Sequence, residues 1–215
     1  MKVIITGSTG MVGEGVLLEC LANPEVERVL SVSRRSCGHV HPKLSELLVT
    51  DFRELGAVEA QLSGYDACFY CAGVSSVGMS EADYTRITYD TPLAFAETLS
   101  RLNPNLVLVH VSGSHTDGSE RGKIMWARVK GKAENALMRL PLRAVYNMRP
   151  SLMKPVPGQR NLKTSYRLLL PLYPLLNLFF PGLGLNRVGR AMIRCVREGA
   201  PKRVLEPADI AALSV

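Results

Sequence analysis

Side chains that can exchange protons follow an apolar run in the middle of the chain. Ser112, Ser114 and His115 stand directly after residues 105–111, and Lys130 lies one helical turn beyond Trp126. Hydroxyl and imidazole groups donate and accept hydrogen bonds, and an ammonium group donates them. If residues 105–111 form a strand, the serines and the histidine lie together at its carboxyl end. Trp126 and Lys130 share one face of the helix that follows.

Three glycines near the start of the chain are spaced three residues apart, after the β-branched run at residues 3–5. That run is typical of a central parallel strand buried on both faces. Gly7 allows a tight turn, Gly10 lets the backbone approach a ligand, and Gly13 leaves room for the next helix to pack. Free N–H groups at the start of that helix favour a diphosphate, which predicts a dinucleotide site. The intervening residues that we expect to contact the same ligand are Thr9, Met11 and Val12.

Two arginines, Arg34 and Arg35, end the second predicted strand. In dinucleotide folds this position meets the adenosine ribose, where an acidic residue binds the 2′-hydroxyl of NAD and an arginine accepts the 2′-phosphate of NADP. No acidic residue stands here, so the sequence favours NADP over NAD. The alternative is that the pair is simply a charged turn.

Residues that could complete the cofactor site follow the third and fourth predicted strands. Asp51 and Phe52 close the third strand, where Asp51 could accept a hydrogen bond from the adenine amino group. Cys71, Ala72 and Gly73 close the fourth, and small residues there let the backbone lie along the cofactor. Both positions follow the rule that ligands bind at the carboxyl ends of the strands in an open α/β sheet.

Apolar runs that alternate with longer amphipathic segments predict an α/β fold with a doubly wound parallel sheet of six to seven strands. Strands are predicted near 2–6, 28–33, 46–50, 66–71, 105–111 and 143–148. Helices are predicted near 12–22, 53–62, 80–102 and 121–139. We expect one Rossmann domain over residues 1–215, in which residues 151–215 form a small C-terminal lid or substrate-covering portion.

The composition is that of a globular protein with reduced thiols. Its five scattered cysteines are odd in number and lie mostly in apolar sequence, which argues against a disulfide framework. Cys68 and Cys71 have redox-motif spacing, but residues three apart in a strand face opposite sides. His39 and His41 have no third ligand beside them, so no metal site is expected. The chain begins with a buried strand instead of a signal peptide, and we expect a cytoplasmic location.

The basic character of the chain belongs to its last third. Residues 1–150 carry 16 Lys/Arg and 16 Asp/Glu, whereas residues 151–215 carry 10 and 3. Eighteen uncharged residues, Leu168–Leu185, precede arginines at 187, 190, 194 and 197 that share one helical face. This segment predicts either a solvated surface or a peripheral membrane contact through residues 165–200. No recognised motif supports nucleic-acid binding.

These features together resemble the short-chain dehydrogenase/reductase superfamily, in its atypical and extended branches. The resemblance covers about residues 1–150. The motifs that carry it are Thr6-Gly-x-x-Gly-x-x-Gly13, Asp51, the Cys71-Ala72-Gly73 turn, the serine strand, Lys130 and Asn147-Met148-Arg149-Pro150-Ser151. Residues 129–134 are similar to the NADPH-binding oxidoreductases related to the Tat-interacting protein known as TIP or CC. The resemblance also implies a homodimer built on the helices near 80–102 and 121–139, or a monomer.

In that superfamily a tyrosine four residues before the lysine supplies the proton, the lysine holds the nicotinamide ribose, and a serine polarises the substrate oxygen. The resemblance assigns Lys130 to the lysine and either Ser112 or Ser114 to the serine, but Trp126 stands where the tyrosine belongs. An indole N–H cannot act as a general acid at ordinary pH. None of the seven tyrosines precedes a lysine by four residues, so a shifted register does not restore the motif.

Three interpretations of Trp126 follow. Lys130 acts alone as acid or base; or His115, Tyr84 or Tyr166 replaces the missing acid; or the protein binds NADP without turnover. The sequence therefore predicts an NADP-binding oxidoreductase or epimerase-like protein for a small carbonyl or sugar-type substrate. The alternative is a non-catalytic NADP-binding regulator or adaptor with a basic, apolar C-terminal docking surface.

Overall fold

The computed structural model describes residues 1–162 and 182–215, and the strands in these ranges follow the predicted alternation closely. The long strands are β1 (Lys2–Thr6), β2 (Arg28–Ser33), β3 (Leu44–Leu48), β4 (Ala67–Tyr70), β5 (Val107–Val111) and β6 (Ala144–Met148). Three two-residue strands complete the set, namely β7 (Met153–Lys154), β8 (Leu183–Gly184) and β9 (Val204–Leu205).

Seven of these strands form one parallel sheet with the order β3-β2-β1-β4-β5-β6-β9. Ile4 in β1 lies opposite Leu30 in β2 and Cys68 in β4, so the first strand occupies the middle of the sheet. The chain moves outward from β1 in one direction through β2 and β3, and in the other through β4, β5 and β6. This is the doubly wound Rossmann arrangement that the sequence predicts, with β9 as the seventh strand.

Helices cover both faces of the sheet. They are α1 (Met11–Ala22), α2 (Glu81–Thr85), α3 (Thr91–Leu102), α4 (Met125–Leu137), α5 (Leu185–Arg197) and α6 (Pro207–Leu213). One core contains α1 and α5 with Ala67 and Phe69 of β4, and the other contains α3 and α4 with Cys68 and Tyr70. Cys71 packs against the first core, so Cys68 and Cys71 lie on opposite faces of the sheet as predicted.

Two predicted helices differ in form from the expectation. Residues 56–62 of the segment predicted as a helix over 53–62 form a 3₁₀ helix. The predicted helix over 80–102 contains a π-helical turn, Arg86–Asp90, between α2 and α3. The Thr91 N–H bonds to the Arg86 carbonyl five residues back, and Pro92 follows with no N–H to give.

The C-terminal residues belong to the sheet and its layers. Helix α5 packs on α1 so closely that a Cβ on Gly15 would lie 2.5 Å from Leu185 Cβ. Strand β9 then joins β6. Of the predicted covering portion, β8, α5 and β9 therefore contribute buried residues to the core, and the apolar run at residues 168–181 lies outside the described residues. Residues 156–161 contact the start of α1, where Gln159 Nε2 donates to the Met11 carbonyl.

The arginine face of α5 is largely paired within the protein. Arg187 Nε donates to Ser214 Oγ over 2.9 Å, Arg194 pairs with Glu198 over 2.8 Å, and Arg197 pairs with Glu25 over 2.7 Å. Three of the four arginines on this face therefore have partners within the described chain, and the peripheral membrane contact stays a prediction. No helix in the described ranges is long and apolar enough to cross a membrane.

Candidate functional site

The glycine loop between β1 and α1 is built as the sequence predicts. Gly7 has a φ of +73°, and a Cβ there would lie 2.6 Å from the Cys71 carbonyl. A Cβ on Gly13 would lie 2.2 Å from the Gly7 oxygen, so the turn and the first helical turn tolerate only glycine at both positions. Gly10 is exposed, and its Cβ position is 3.5 Å from the nearest neighbouring atom. The protein itself therefore leaves room at Gly10 for the approach of a ligand.

A groove of about 390 Å³ runs along this loop at the carboxyl edge of β1, β2 and β4. Its size suits part of a dinucleotide. The residues that line it are Gly7, Thr9, Gly10, Met11, Val12, Gly13, Ser33, Arg34, Arg35, Phe52, Cys71, Ala72 and Gly73. Twelve of these thirteen are predicted site residues, and Ser33 is the addition.

Arg34 and Arg35 stand at the open side of this groove, just after β2. Both side chains are exposed. Within the described part of the chain, neither guanidinium forms an ion pair with an acidic side chain. Two unpaired guanidinium groups at the end of β2 are free to bind an anion in the groove.

A second pocket of about 310 Å³ continues the groove past Arg34, Phe52, Ala72 and Gly73. Asp51 lines it, but its carboxylate is held by Arg53 at 2.6 Å. The Arg53 side chain and backbone N–H lower the pKa of Asp51 to about 2. The carboxylate is therefore ionised at neutral pH and accepts from Arg53 in this structure, so any bond to an adenine amino group shares it with that arginine.

Sequence reasoning missed most of the far wall of this second pocket. The residues it did not identify are Thr50, Arg53, Tyr70, Val74, Arg86, Ile87 and Thr91. Tyr70 carries no usable signal, because a tyrosine in a buried strand looks like core. Arg86 begins the π-helical turn and Thr91 follows it. Such turns are frequent at functional sites, but a single sequence does not reveal a π turn.

The two serines after β5 have different environments. Ser112 is 8% exposed, and its Oγ lies 3.1 Å from Thr116 Oγ1. Ser114 is half-buried, its backbone N–H bonds to the Pro150 carbonyl, and its Oγ lies 3.0 Å from His115 Nδ1. Ser112 therefore serves the loop itself, whereas the Ser114 hydroxyl is accessible from the carboxyl edge of the sheet.

Lys130 lies beside the serine loop. A Cβ on Gly113 would be 3.7 Å from Cδ and Cε of Lys130, which brings the lysine stem against this turn. The loop is fixed on α4, because a Cβ on Gly131 would lie only 1.8 Å from the Asp117 oxygen. Burial lowers the pKa of Lys130, although the Glu134 carboxylate opposes part of that shift. Lys130, Ser112 and Ser114 do not line the two pockets, and the serines follow β5, the strand that pairs with β4.

The residues that could replace the missing acid differ in solvent exposure, and so in whether a substrate could reach them. Tyr84 is 2% exposed within the helices, and burial raises its pKa, so it is inaccessible to a substrate. His115 is exposed and adopts a φ of +64°, uncommon for a residue with a side chain. Tyr166 lies outside the described residues. Trp126 is half-buried on the first turn of α4, one turn before Lys130.

Two buried polar groups, Glu134 and His110, interact with the charge of Lys130. Glu134, one turn further along α4, is almost fully buried and receives two hydrogen bonds from Arg149, at 3.0 and 2.6 Å. His110 in β5 donates from Nδ1 to Asn147 Oδ1 over 2.9 Å. Burial, together with the Lys130 charge, lowers the pKa of His110 to about 4, so this imidazole is neutral. Among the described residues, no three His, Cys, Asp or Glu side chains are grouped to hold a metal ion.

Three relatives share a name that bears on where the protein resides. Protein fmp52, mitochondrial, from Emericella nidulans is 28% identical over 166 residues, covering 74% of this chain and 68% of the relative. Protein FMP52, mitochondrial, from Chaetomium globosum is 24% identical over 98% of this chain and 95% of its own length. A third, from Scheffersomyces stipitis, is also named mitochondrial. These names contradict the expectation of a cytoplasmic location. That expectation rested on the buried strand at the start of the chain, and a strand holds no information about the compartment of a protein.

Solved structures with the same fold hold nicotinamide cofactors. MoeE5 in complex with UDP-glucose and NAD superposes with a TM-score of 0.70 at 18% identity, over 96% of this chain and 75% of that one. A short chain dehydrogenase from Burkholderia cenocepacia in complex with NADP gives a TM-score of 0.68 at 14% identity, over 95% and 86%. At these identities the likeness concerns the fold.

The sequence itself supplies the family. The model of the NAD dependent epimerase/dehydratase family matches residues 3–130, which is more than half of the chain. The matched part contains the glycine loop, the arginine pair, both serines and Lys130. This chain belongs to the NAD dependent epimerase/dehydratase family, as an epimerase- or oxidoreductase-like enzyme that uses a nicotinamide dinucleotide.

Proposed function

We propose that this protein is an NADP-dependent oxidoreductase or epimerase-like enzyme acting on a small carbonyl or sugar-type substrate. The observation that carries the NADP preference is the exposed pair Arg34 and Arg35, which lines the groove without an acidic partner in the described chain. A 2′-phosphate needs such donors, because paired guanidinium groups bind its oxygens with charge-assisted hydrogen bonds. NAD would need an acidic residue at this position, and none lines the groove.

Each part of the site then has a defined task. The glycine loop and the start of α1 would hold the diphosphate, and Phe52 with the Cys71-Ala72-Gly73 turn would border the adenosine side. The bound nicotinamide would supply or accept a hydride. Lys130 would hold the nicotinamide ribose, and Ser114, the accessible serine, would donate a hydrogen bond to the substrate oxygen. The match to the epimerase/dehydratase family model supports the epimerase-like form of this chemistry.

For proton transfer we assign Lys130, with the Ser114–His115 pair as the alternative donor. Burial moves the pKa of Lys130 towards the range in which an amine exchanges protons at neutral pH. Arg149 neutralises Glu134 from the other side, which limits the power of that carboxylate to restore the lysine pKa. His115 is exposed and in contact with Ser114, so it can pass a proton to the same substrate oxygen.

A non-catalytic NADP-binding regulator is the second candidate function, and Trp126 is the observation that favours it. An indole one turn before Lys130 fills the position of a phenolic acid and cannot donate its proton at ordinary pH. The intact groove would then hold NADP as a ligand only. Turnover assays with bound cofactor separate the two candidates, because a regulator oxidises no NADPH with any carbonyl.

Titration with NADPH and with NADH tests the proposal directly. We expect the wild type to bind NADPH more tightly, and Arg34→Ala with Arg35→Ala to weaken NADPH binding about 100-fold while NADH binding stays nearly constant. Arg28→Ala is the matched control, because this exposed arginine begins the same strand at its opposite end. Equal affinities of the wild type for the two cofactors would refute the role given to the arginine pair.

A further inference from the structure

A buried carboxylate lies behind the arginine pair, in the first turn of α1. The Glu14 side chain is fully buried, a position that acidic side chains rarely take unless they are paired. Its Oε1 accepts from His39 Nε2 over 2.8 Å and from the Arg160 N–H over 2.6 Å, and its Oε2 accepts from the Asn161 N–H over 2.8 Å. Burial alone would raise the pKa of Glu14, but these hydrogen bonds lower it below the ordinary value. Glu14 is therefore a charged junction between three distant parts of the chain.

One of these parts is the loop of residues 36–39, which directly follows the arginine pair. Glu46 in β3 holds its first half, accepting from Ser36 Oγ and from the Cys37 N–H, each over 2.7 Å. Glu14 holds its second half through His39. Each end of the loop is thus bound to a carboxylate on a helix or a strand. We call the set of Glu14, His39 and Glu46 the arginine-loop clamp.

The second part is the segment of residues 156–161. Gln159 Nε2 donates to the Met11 carbonyl over 2.7 Å, which attaches the segment to the start of α1. Asn161 Nδ2 donates to the Cys37 carbonyl over 3.2 Å, and the Arg160 guanidinium donates to the Gly38 carbonyl over 3.0 Å. The segment therefore binds both Glu14 and the loop, and it links the two directly.

We propose that Glu14 is a positioning residue for cofactor selection, which fixes the arginine-loop clamp and thereby places Arg34 and Arg35 for a 2′-phosphate. The inference rests on the proposed NADP preference. Exposed arginines on a loose loop lose conformational entropy when they bind, whereas a loop held at both ends has lost much of it already. Binding of a cofactor without a 2′-phosphate does not use the arginines, so the benefit is specific to NADP.

Glu14→Gln tests this inference with minimal change in shape. A Gln amide places an N–H₂ group where one carboxylate oxygen accepted, so a donor faces the Asn161 N–H or the His39 and Arg160 donors. We expect the affinity for NADPH to fall about tenfold and the affinity for NADH to change less than about twofold, measured by fluorescence titration. Glu19→Gln is the matched control on the same helix, where the side chain lies near Arg190 and away from the clamp, and it should leave both affinities unchanged.

Two further variants separate positioning from general damage. His39→Gln keeps an N–H donor towards Glu14 and should retain the NADPH preference, whereas His39→Ala should lose it. In the Arg34→Ala, Arg35→Ala background, Glu14→Gln should have no further effect on the ratio of the two affinities, because it acts through those arginines.

The outcomes are distinguishable from a failure of the proposed function. An unchanged ratio in Glu14→Gln, an equal loss of both cofactors, or a further change of the ratio in the arginine-free background would overturn the inference and leave the NADP assignment standing. If removal of both arginines leaves the wild-type ratio intact, the NADP assignment itself fails and the inference falls with it.

Discussion

At the scale of single residues, holding a cofactor and using it are separate properties of this chain. A Cβ on Gly7 or Gly13 would lie 2.6 or 2.2 Å from backbone atoms, so both positions require glycine, and this requirement makes the loop recognisable from the sequence. The Lys130 stem lies against Gly113, the residue before Ser114, and its role in holding the nicotinamide ribose stays a prediction. Trp126 is the departure, because it supplies an aromatic ring of suitable size without an acidic proton.

Trp126→Tyr should create or raise reductase activity if the missing phenol is the only defect. A positioned general acid contributes about 100-fold or more to the rate, and Lys130 one turn away would lower the pKa of the new phenol. NADPH oxidation measured across a broad panel of carbonyl compounds reports the change.

Trp126→Phe is the matched control, since it keeps an aromatic ring and adds no hydroxyl. If Trp126→Tyr gains reductase activity and Trp126→Phe does not, the gain is due to the acidic proton of the new hydroxyl. No gain across the panel, or an equal gain in both variants, would show that the indole is not what limits turnover.

At the scale of elements, the crossing of α1 and α5 links the N-terminal loop to the C-terminal core. The two helices approach through glycines on each, because Gly15 faces Leu185 and Gly189 faces Glu19 and Val16. Neither glycine has a positive φ, so close packing, and not backbone conformation, requires them. The helix that carries the phosphate-binding turn is therefore positioned by a helix about 170 residues later in the chain.

Gly15→Ala should destabilise the protein in spite of its better helix propensity. Alanine in place of glycine gains up to about 1 kcal/mol in a helix, but a Cβ 2.5 Å from Leu185 Cβ overpacks the crossing at a cost of about 1–3 kcal/mol. Gly56→Ala, whose Cβ would meet nothing within 4 Å, is the control and should be neutral or slightly stabilising. Urea unfolding measures both, and a Gly15→Ala protein as stable as Gly56→Ala would refute the close crossing.

The elements that could be predicted are those whose pattern is local. Strands β1 and β2 were predicted to the residue, because apolar β-branched runs and glycine turns are read directly from sequence. The π turn at Arg86–Asp90 and the two-residue strands could not be predicted, since tertiary pairing and not local pattern decides them. The groove could be predicted because it lies at the ends of strands that the sequence pattern locates, whereas Tyr70 and Arg86 reach the second pocket only through the packing of distant elements.

At the scale of the whole molecule, the C-terminal third completes a fold that would otherwise leave one face open. Val188, Met192 and Val196 of α5 are buried in the same core as Val3 and Ile5 of the central strand. The opposite face carries the only fully buried imidazole of the described chain, His110, between Tyr70 and Asn147. The polar layer on that side reaches from Lys130 through Glu134 to Arg149 and Glu206, so the site and the core share charged groups.

His110 should make the protein lose stability in acid. Its pKa is about 4 in the folded protein and about 6.5 when unfolded, so below the higher value the unfolded chain takes up a proton that the folded chain refuses. Above about pH 6.5 His110 is neutral in both states and does not lower the free energy of unfolding. As the pH falls from about 6.5 towards 4, protonation of the unfolded chain lowers the free energy of unfolding, by about 2–3 kcal/mol at about pH 4.5. Urea unfolding at about pH 7 and about pH 4.5 measures it, by comparison of the wild type with His110→Gln, which has no proton to gain.

Carboxylates also titrate in this range, but they are common to both proteins and cancel in the comparison. We therefore expect the wild type to lose more unfolding free energy than His110→Gln between the two pH values, whatever the stability of the variant at neutral pH. His41→Gln, which removes a half-buried loop histidine, is the matched control and should keep the wild-type pH dependence. If wild type and His110→Gln lose the same free energy, the folded protein protonates His110 as readily as the unfolded chain does, and the lowered pKa of this buried imidazole is refuted.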